Sequence, residues 1–250
     1  EQSGFNPQIA TAIDIIHKCG GDVVFPHTAA YHPKAGNEME VKYAWEDSEK
    51  FTKDFVSEYG KELKGIEVIH PSYLGNVQFE QFLRETAKEN GCLISFDPNL
   101  RPPLWESLEL ARTQMEYGFA NCDILKISDN EIQFVSGKED YDEGIQYLID
   151  KYNIPLILLT MGADGSRAYY KGQKVEQAGF EVDTIETTGA GDTFCGSALN
   201  YILEHDLQNL SETELAEMLK ISNAAAALVT TKKGALKSMP EKEEINYLIH

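Results

Sequence analysis

The sequence predicts an α/β fold, with a mostly parallel central sheet covered by helices on both faces. Three observations carry this expectation. Apolar residues switch between helical and strand spacing along most of the chain. Apart from its proline, the run Ile154-Pro155-Leu156-Ile157-Leu158-Leu159 is continuously apolar and of strand length, as suits a strand buried on both faces. Finally, 250 residues, 42% of them hydrophobic, can fill one large α/β core, so a single domain over 1–250 is the economical count.

Taken in order, a helix is expected over 9–16, where Ile9, Ile13 and Ile16 share a face, followed by a strand over 22–25. The stretch 27–37 has no clear period and reads as a long loop; His27 and His32 lie in it without a third ligand at metal spacing, so they read as solvated histidines. A helix over 46–63, a strand over 66–70, a helix over 78–90 and a strand over 92–97 continue the alternation. The same rhythm predicts a helix over 106–119, a strand over 123–127, a helix over 142–152 and a strand over 155–160. An antiparallel pair then turns through Lys171 and Gly172, and three helices close the chain. In sheets of this kind ligands bind beyond the carboxyl ends of the strands, where Asp97, Ser128 and Thr160 all fall.

Charge narrows the function. A net charge of −19 repels a phosphate backbone, and the 22 basic residues form no long stripe, which argues against nucleic acid as a partner. No stretch approaches the roughly 20 apolar residues of a membrane span, and the N-terminus lacks a basic-then-apolar leader, so a cytoplasmic protein is expected. Cys19, Cys92, Cys122 and Cys195 are scattered without Cys-x-x-Cys spacing and read as reduced core thiols.

The most informative segment is Thr187-Thr188-Gly189-Ala190-Gly191-Asp192-Thr193-Phe194. Phe194, Ala198, Leu199 and Ile202 then recur at helical spacing, so Gly189 and Gly191 open a helix. Glycines let the backbone approach a ligand, and the first-turn amides of a helix attract anions, so the turn Gly189, Ala190, Gly191 is suited to cradle phosphate. A carboxylate beside those donors is poorly placed to bind an anion but well placed to take a proton from an attacking hydroxyl, which makes Asp192 a candidate general base that also contacts the substrate. The plainer reading is an ordinary helix start in which Asp192 complements the dipole.

The wider string from Glu186 to Phe194 resembles the second signature of the ribokinase-like (PfkB) carbohydrate kinases, and within them is most similar to bacterial fructokinases. Four further blocks carry the resemblance: 94–105 with its Asp97-Pro98-Asn99-Leu100-Arg101, 125–131, 159–166 and 221–235. It implies Asn99 and Arg101 as substrate or phosphate contacts, with the Arg101 guanidinium offsetting charge on the transferring group. The plainer alternative for Arg101 is a surface side chain in a proline-rich turn. The family's Asn-x-x-Glu motif falls on Ser128-Asp129-Asn130-Glu131, with serine in place of asparagine. Glu131 thereby inherits a Mg²⁺ role, for which one carboxylate suffices when the ion keeps most of its waters, although the same four residues also spell a helix capping box.

The resemblance further implies that Thr160, Gly162, Gly165 and Asn223 line the nucleotide site and that Glu186 and Gly234 flank a place for K⁺. Family members begin with a sugar-binding aspartate, a Gly-Gly-x-x-x-Asn segment and a β-lid, a set not recognised in the first ~75 residues, where Asn6 is the candidate sugar contact and the chain is short for a fructokinase. The implied activity is ATP-dependent phosphorylation of a primary hydroxyl on a small sugar, first fructose to fructose 6-phosphate, with 2-keto-3-deoxygluconate or ribose as other acceptors and homodimerisation as the family's habit. A noncatalytic nucleotide-binding or regulatory protein is the alternative of another class.

Overall fold

Strands and helices alternate through the described part of the chain much as the periodicity requires. The computed structural model describes residues 65–69, 92–105 and 107–250. The elements expected over 9–16, 22–25, 46–63 and 78–90, the loop over 27–37, Cys19 and Asn6 lie outside the described residues. The described strands are β1 (Gly65–Ile69), β2 (Leu93–Asp97), β3 (Ile124–Ser128), β4 (Leu156–Thr160), β5 (Ser166–Tyr170) and β6 (Gln173–Gln177). The helices are α1 (Leu108–Phe119), α2 (Asp129–Ser136), α3 (Tyr141–Tyr152), α4 (Ala190–Glu204), α5 (Glu212–Thr230) and α6 (Lys242–Ile249). Helix α2 is signalled only by the capping-box spacing of Ser128 and Glu131; at eight residues it is too short for its apolar positions to declare a period.

The described residues fall into two compact units: the first runs up to Leu125 and resumes with Glu131–Ile154, and the second consists of Lys126–Asn130 and Pro155–His250. In the first unit β1, β2 and β3 are neighbours in that order and pair in parallel, with Gly65 opposite Leu93, Ile69 opposite Asp97 and Ser95 opposite Ile124. Parallel neighbours need a crossover, and α1 supplies it between β2 and β3. Ser107 caps α1 by accepting from the Leu110 amide at 3.1 Å. Its buried residues Ala111, Met115, Gly118 and Phe119 recur at helical spacing, and Phe119 meets Phe96 of β2 edge-on at 5.7 Å between ring centroids. Asp123 fixes the entry to β3 by accepting from the Ile94 amide at 2.7 Å. Between α1 and α2, Arg112 donates to the Val135 carbonyl at 2.8 Å while lying over the Phe134 ring.

In the second unit the strand order continues β3, β4, β5, β6. The expected turn at Lys171 and Gly172 joins β5 to β6 with positive φ at both residues, 48° and 78°, as a two-residue hairpin requires. β4 also pairs antiparallel with β5, from Leu156 opposite Tyr170 to Thr160 opposite Ser166, so the expected pair is a three-stranded meander. Helix α5 packs on α4, on α6 and on β5 and β6. A capping box starts it: the Glu214 amide donates to the Ser211 hydroxyl, and the Ser211 amide donates back to the Glu214 carboxylate. The thiols of Cys92, Cys122 and Cys195 are buried, consistent with small hydrophobes in a core.

Gly118 exposes how tightly α1 sits on β2. A methyl group there would lie 2.2 Å from the Phe96 ring, which is fully buried. Helix propensity alone would favour alanine by about 1 kcal/mol, whereas overpacking a core commonly costs about 1–3 kcal/mol. Gly118→Ala is therefore expected to lower the midpoint of urea denaturation; a raised midpoint would show that the ring yields.

Candidate functional site

The site begins with the backbone of the α4 N-terminus, in the second unit. Gly189 is the N-cap and takes φ 86°, a left-handed conformation that is costly for any residue with a Cβ. The Ala190 amide donates to the Thr187 carbonyl at 3.2 Å, while Thr193 closes the turn on the Gly189 carbonyl through its amide at 2.8 Å and its hydroxyl at 2.7 Å. Beyond the Ala190 amide, which this turn uses, the helix end is where partial positive charge collects.

A lysine stands beside this turn. Lys126, flanked by apolar residues in the middle of β3, is 6% exposed. Its Nζ is so close to the turn that a methyl group on Gly191 would lie 3.2 Å from it. Glycine at 191 thus leaves room for the ammonium as well as for a ligand. Asp192 follows in the same first turn and is half-buried.

A cavity of about 380 Å³ opens on this turn, within the range of small-ligand sites. Thr160, Gly162 and Gly165 from the β4–β5 connection form one wall, and Gly179, Phe180 and Val182 after β6 form another. Ala190, Gly191 and Phe194 of α4 and Asn223, Ala226, Ala227 and Thr230 of α5 complete it. The two strand-end walls touch backbone to backbone. A methyl group on Gly165, whose φ is 104°, would lie 2.2 Å from the Gln177 carbonyl, and one on Gly179 would lie 2.3 Å from the Ala163 carbonyl.

Asn223 is 6% exposed and holds this wall together. Its Nδ2 donates to the carbonyls of Gln177 at 3.0 Å and Ala178 at 3.2 Å, while its Oδ1 accepts from the Ser166 hydroxyl at 2.8 Å. Carbonyls only accept, so the amide nitrogen must face them.

Behind the turn, the Thr230 carbonyl at the end of α5 accepts from the amides of both Ile185, at 2.8 Å, and Glu186, at 3.1 Å. Glu186 in turn accepts from the Gly234 amide at 3.2 Å, so the two residues expected to flank a monovalent ion are direct neighbours. Gly234 takes φ 110° to reach that position.

The remaining expected residues gather in the first unit, apart from Ser128, which ends β3 in the second. Past Asp97, Asn99 takes φ 44° and donates its amide to the Asp97 carboxylate at 3.1 Å. The Leu100 amide donates to Glu131 Oε1 at 2.6 Å, which ties the Asn99–Arg101 segment to a buried acid at the start of α2. Arg101 is exposed and its guanidinium folds back, donating to the Leu100 carbonyl at 3.2 Å.

Of the expected residues, Thr160, Gly162, Gly165, Ala190, Gly191 and Asn223 share one cavity, with Gly189 capping the helix at its mouth. Asn99, Arg101 and Glu131 share a second cluster. Sequence reasoning missed Lys126, Ser166, Phe180 and Val182. A lysine inside an apolar strand was the available signal for the first; Ser166 gives none, since its importance comes from a partner 57 positions away.

Among the described residues no group of three or more His, Cys, Asp or Glu could hold a metal ion, and no helix is long and apolar enough to cross a membrane. Glu131, as a single buried carboxylate, suits a Mg²⁺ ion held mainly by phosphates and water.

Comparison with known proteins extends the reading. The chain is 41% identical over 165 residues to probable fructokinase-2 of Arabidopsis thaliana, covering 66% of this chain and 50% of that protein. It is 40% identical over 160 residues to fructokinase-2 of Solanum lycopersicum, covering 64% of this chain and 49% of that one. The chain thus spans about half the length of these curated relatives. A crystal structure of fructokinase from Vibrio cholerae O395, bound to fructose, ADP and calcium ion, superposes with a TM-score of 0.68 at 30% identity, over 75% of this chain and 61% of that one. The α/β fold is therefore ribokinase-like, as expected. The family description "pfkB family carbohydrate kinase" matches residues 30–242. With a match over most of its length, the chain belongs to the pfkB family of carbohydrate kinases.

Proposed function

We propose that the protein transfers the terminal phosphoryl group of ATP to a primary hydroxyl of a small sugar, with fructose as the acceptor and fructose 6-phosphate as the product. One observation carries the reading: a cavity of about 380 Å³ ends at the α4 N-terminus, whose first turn carries Asp192 and lies beside the buried Lys126. The fructokinase relatives and the fructose-bound neighbour support the choice of sugar.

In this reading the triphosphate lies with its terminal phosphate against the amides around Ala190. These donors are preorganised, so they stabilise charge growing on the phosphoryl oxygens without rearranging during the reaction. Lys126 adds a full positive charge at the same place, in surroundings where the interaction is screened less than in water. Asp192 takes the proton of the acceptor hydroxyl as it attacks phosphorus. Arg101 and Asn99 contribute phosphate or sugar contacts, and Asn6 a sugar contact. Glu131 would hold Mg²⁺, which would supply positive charge to offset that of the phosphates, and Ser128 would lie on the nucleotide side. Thr160, Gly162 and Gly165 flank the nucleotide, and K⁺ beside Glu186 and Gly234 would stiffen the turn. Such a reaction draws on the cytoplasmic pool of ATP, and the enzyme acts as a homodimer.

Two measurements test this reading. Sugar-dependent ADP release across a ketose and aldose panel should be greatest with fructose, and Asp192→Ala should lower kcat by roughly 10²–10⁴ with ATP affinity nearly intact. Nucleotide binding with no turnover on any sugar, indifferent to Asp192→Ala, would make the protein a binding module instead. Lys126→Met should weaken ATP binding in titration calorimetry by roughly 10–100-fold, the range for losing a charged hydrogen-bonding group; unchanged affinity would remove Lys126 from the phosphate site.

A further inference from the structure

We infer that Asn223 is a positioning residue that builds the base end of the nucleotide cavity without reading the base, so that the purine is held by shape alone; the inference rests on the cavity being the ATP site. The two ends of the cavity can be told apart along α5. Thr230 binds the segment that leads into the phosphate turn, and Asn223 lies seven residues earlier, about 10 Å along the helix. Asn223 therefore marks the end remote from the terminal phosphate.

At that end an asparagine would be the natural side chain to pair with a base edge, since its amide offers both a donor and an acceptor. Here both functions are engaged by the protein. The two Nδ2 protons go to the Gln177 and Ala178 carbonyls, and Oδ1 receives the Ser166 hydroxyl. A base acceptor could reach Nδ2 only by displacing its bonds to the Gln177 and Ala178 carbonyls, which is unfavourable in a buried site. The neighbouring side chains, Phe180, Ala226 and Ala227, are apolar and offer a surface to stack and enclose a ring.

What Asn223 does accomplish is geometric. It fixes the chain just after β6 against the start of β5, where Gly165 and Gly179 bring the backbones into contact. Ser166 orients the amide from behind: it is 0% exposed and is not part of the cavity wall. Ser166 lies outside the cavity wall, and the side-chain partner through which its hydroxyl reaches that wall is Asn223.

The experiment compares the wild-type protein with Ser166→Ala and Asn223→Asp, measuring dissociation constants for ATP and GTP by titration calorimetry, together with kcat and KM at saturating fructose. Asn223→Asp keeps the size and the Ser166 acceptor but sets an oxygen against the two carbonyls. Wild-type protein should bind GTP within about tenfold of ATP, the loss expected when no side-chain hydrogen bond to the base is at stake. Ser166→Ala should raise KM for both nucleotides by the same factor, roughly 2–10-fold for one hydrogen bond, with kcat within about twofold and KM for fructose unchanged. Asn223→Asp should raise both by a larger, again equal, factor. GTP rejected outright by the wild type, an ATP-to-GTP ratio altered by Asn223→Asp, or Ser166→Ala with unchanged KM would each overturn the inference while leaving the kinase reading intact. Absence of ATP binding to the wild type would instead remove the site itself, and the inference with it.

Discussion

The left-handed turn at Gly189 is the constraint on which the rest of the site depends. It sets the angle at which the chain enters α4, with Ala190 bonded back to Thr187 and the helix opening on Gly191 and Asp192. An anion site on this protein has to be local, because the chain as a whole carries a charge of −19. Distant surface acids are screened within about 10 Å at ordinary ionic strength, whereas a buried lysine beside the turn is screened much less. Lys126 brings its amino group to the turn, and Gly191 is the residue that leaves space for it.

Helix α5 acts as the spine of the second unit. One face carries Asn223, Ala226, Ala227 and Thr230 into the cavity, at the spacing that keeps them in line. Its buried residues Leu215, Met218 and Leu219 anchor it in the core. Through Thr230 it holds the segment before the phosphate turn, and through Asn223 it holds the segment after β6. Small residues at 226 and 227 keep the helix close to whatever occupies the cavity. Two ends of one rigid element thus set the distance between the two ends of the pocket.

Much of this was legible beforehand. The strands β2, β3 and β4 and the helices α1 and α3 fall within a few residues of the expected ranges, because the strands are short, largely apolar runs and the helices carry apolar residues at helical spacing. The turn at Gly189 was legible because glycine is almost the only residue that tolerates its backbone. Asn223 was legible as a member of the site but not in its role. Its three partners are at 166, 177 and 178, all more than 40 positions away in the chain, and no local pattern reports which atoms a side-chain amide will find.

By itself, then, the sequence determined the α/β class, the helix that opens on glycine and the carboxylate in its first turn, since these follow from periods and from backbone permissions that are local. It also determined which residues had chemistry to offer at the strand ends. Only the tertiary structure decided that an ammonium from β3 would stand against Gly191, that Glu186 would reach Gly234, and that Asn223 would be consumed by backbone carbonyls. Those outcomes depend on distances between segments remote in the chain, which packing of the strands and α5 establishes and which no single segment encodes.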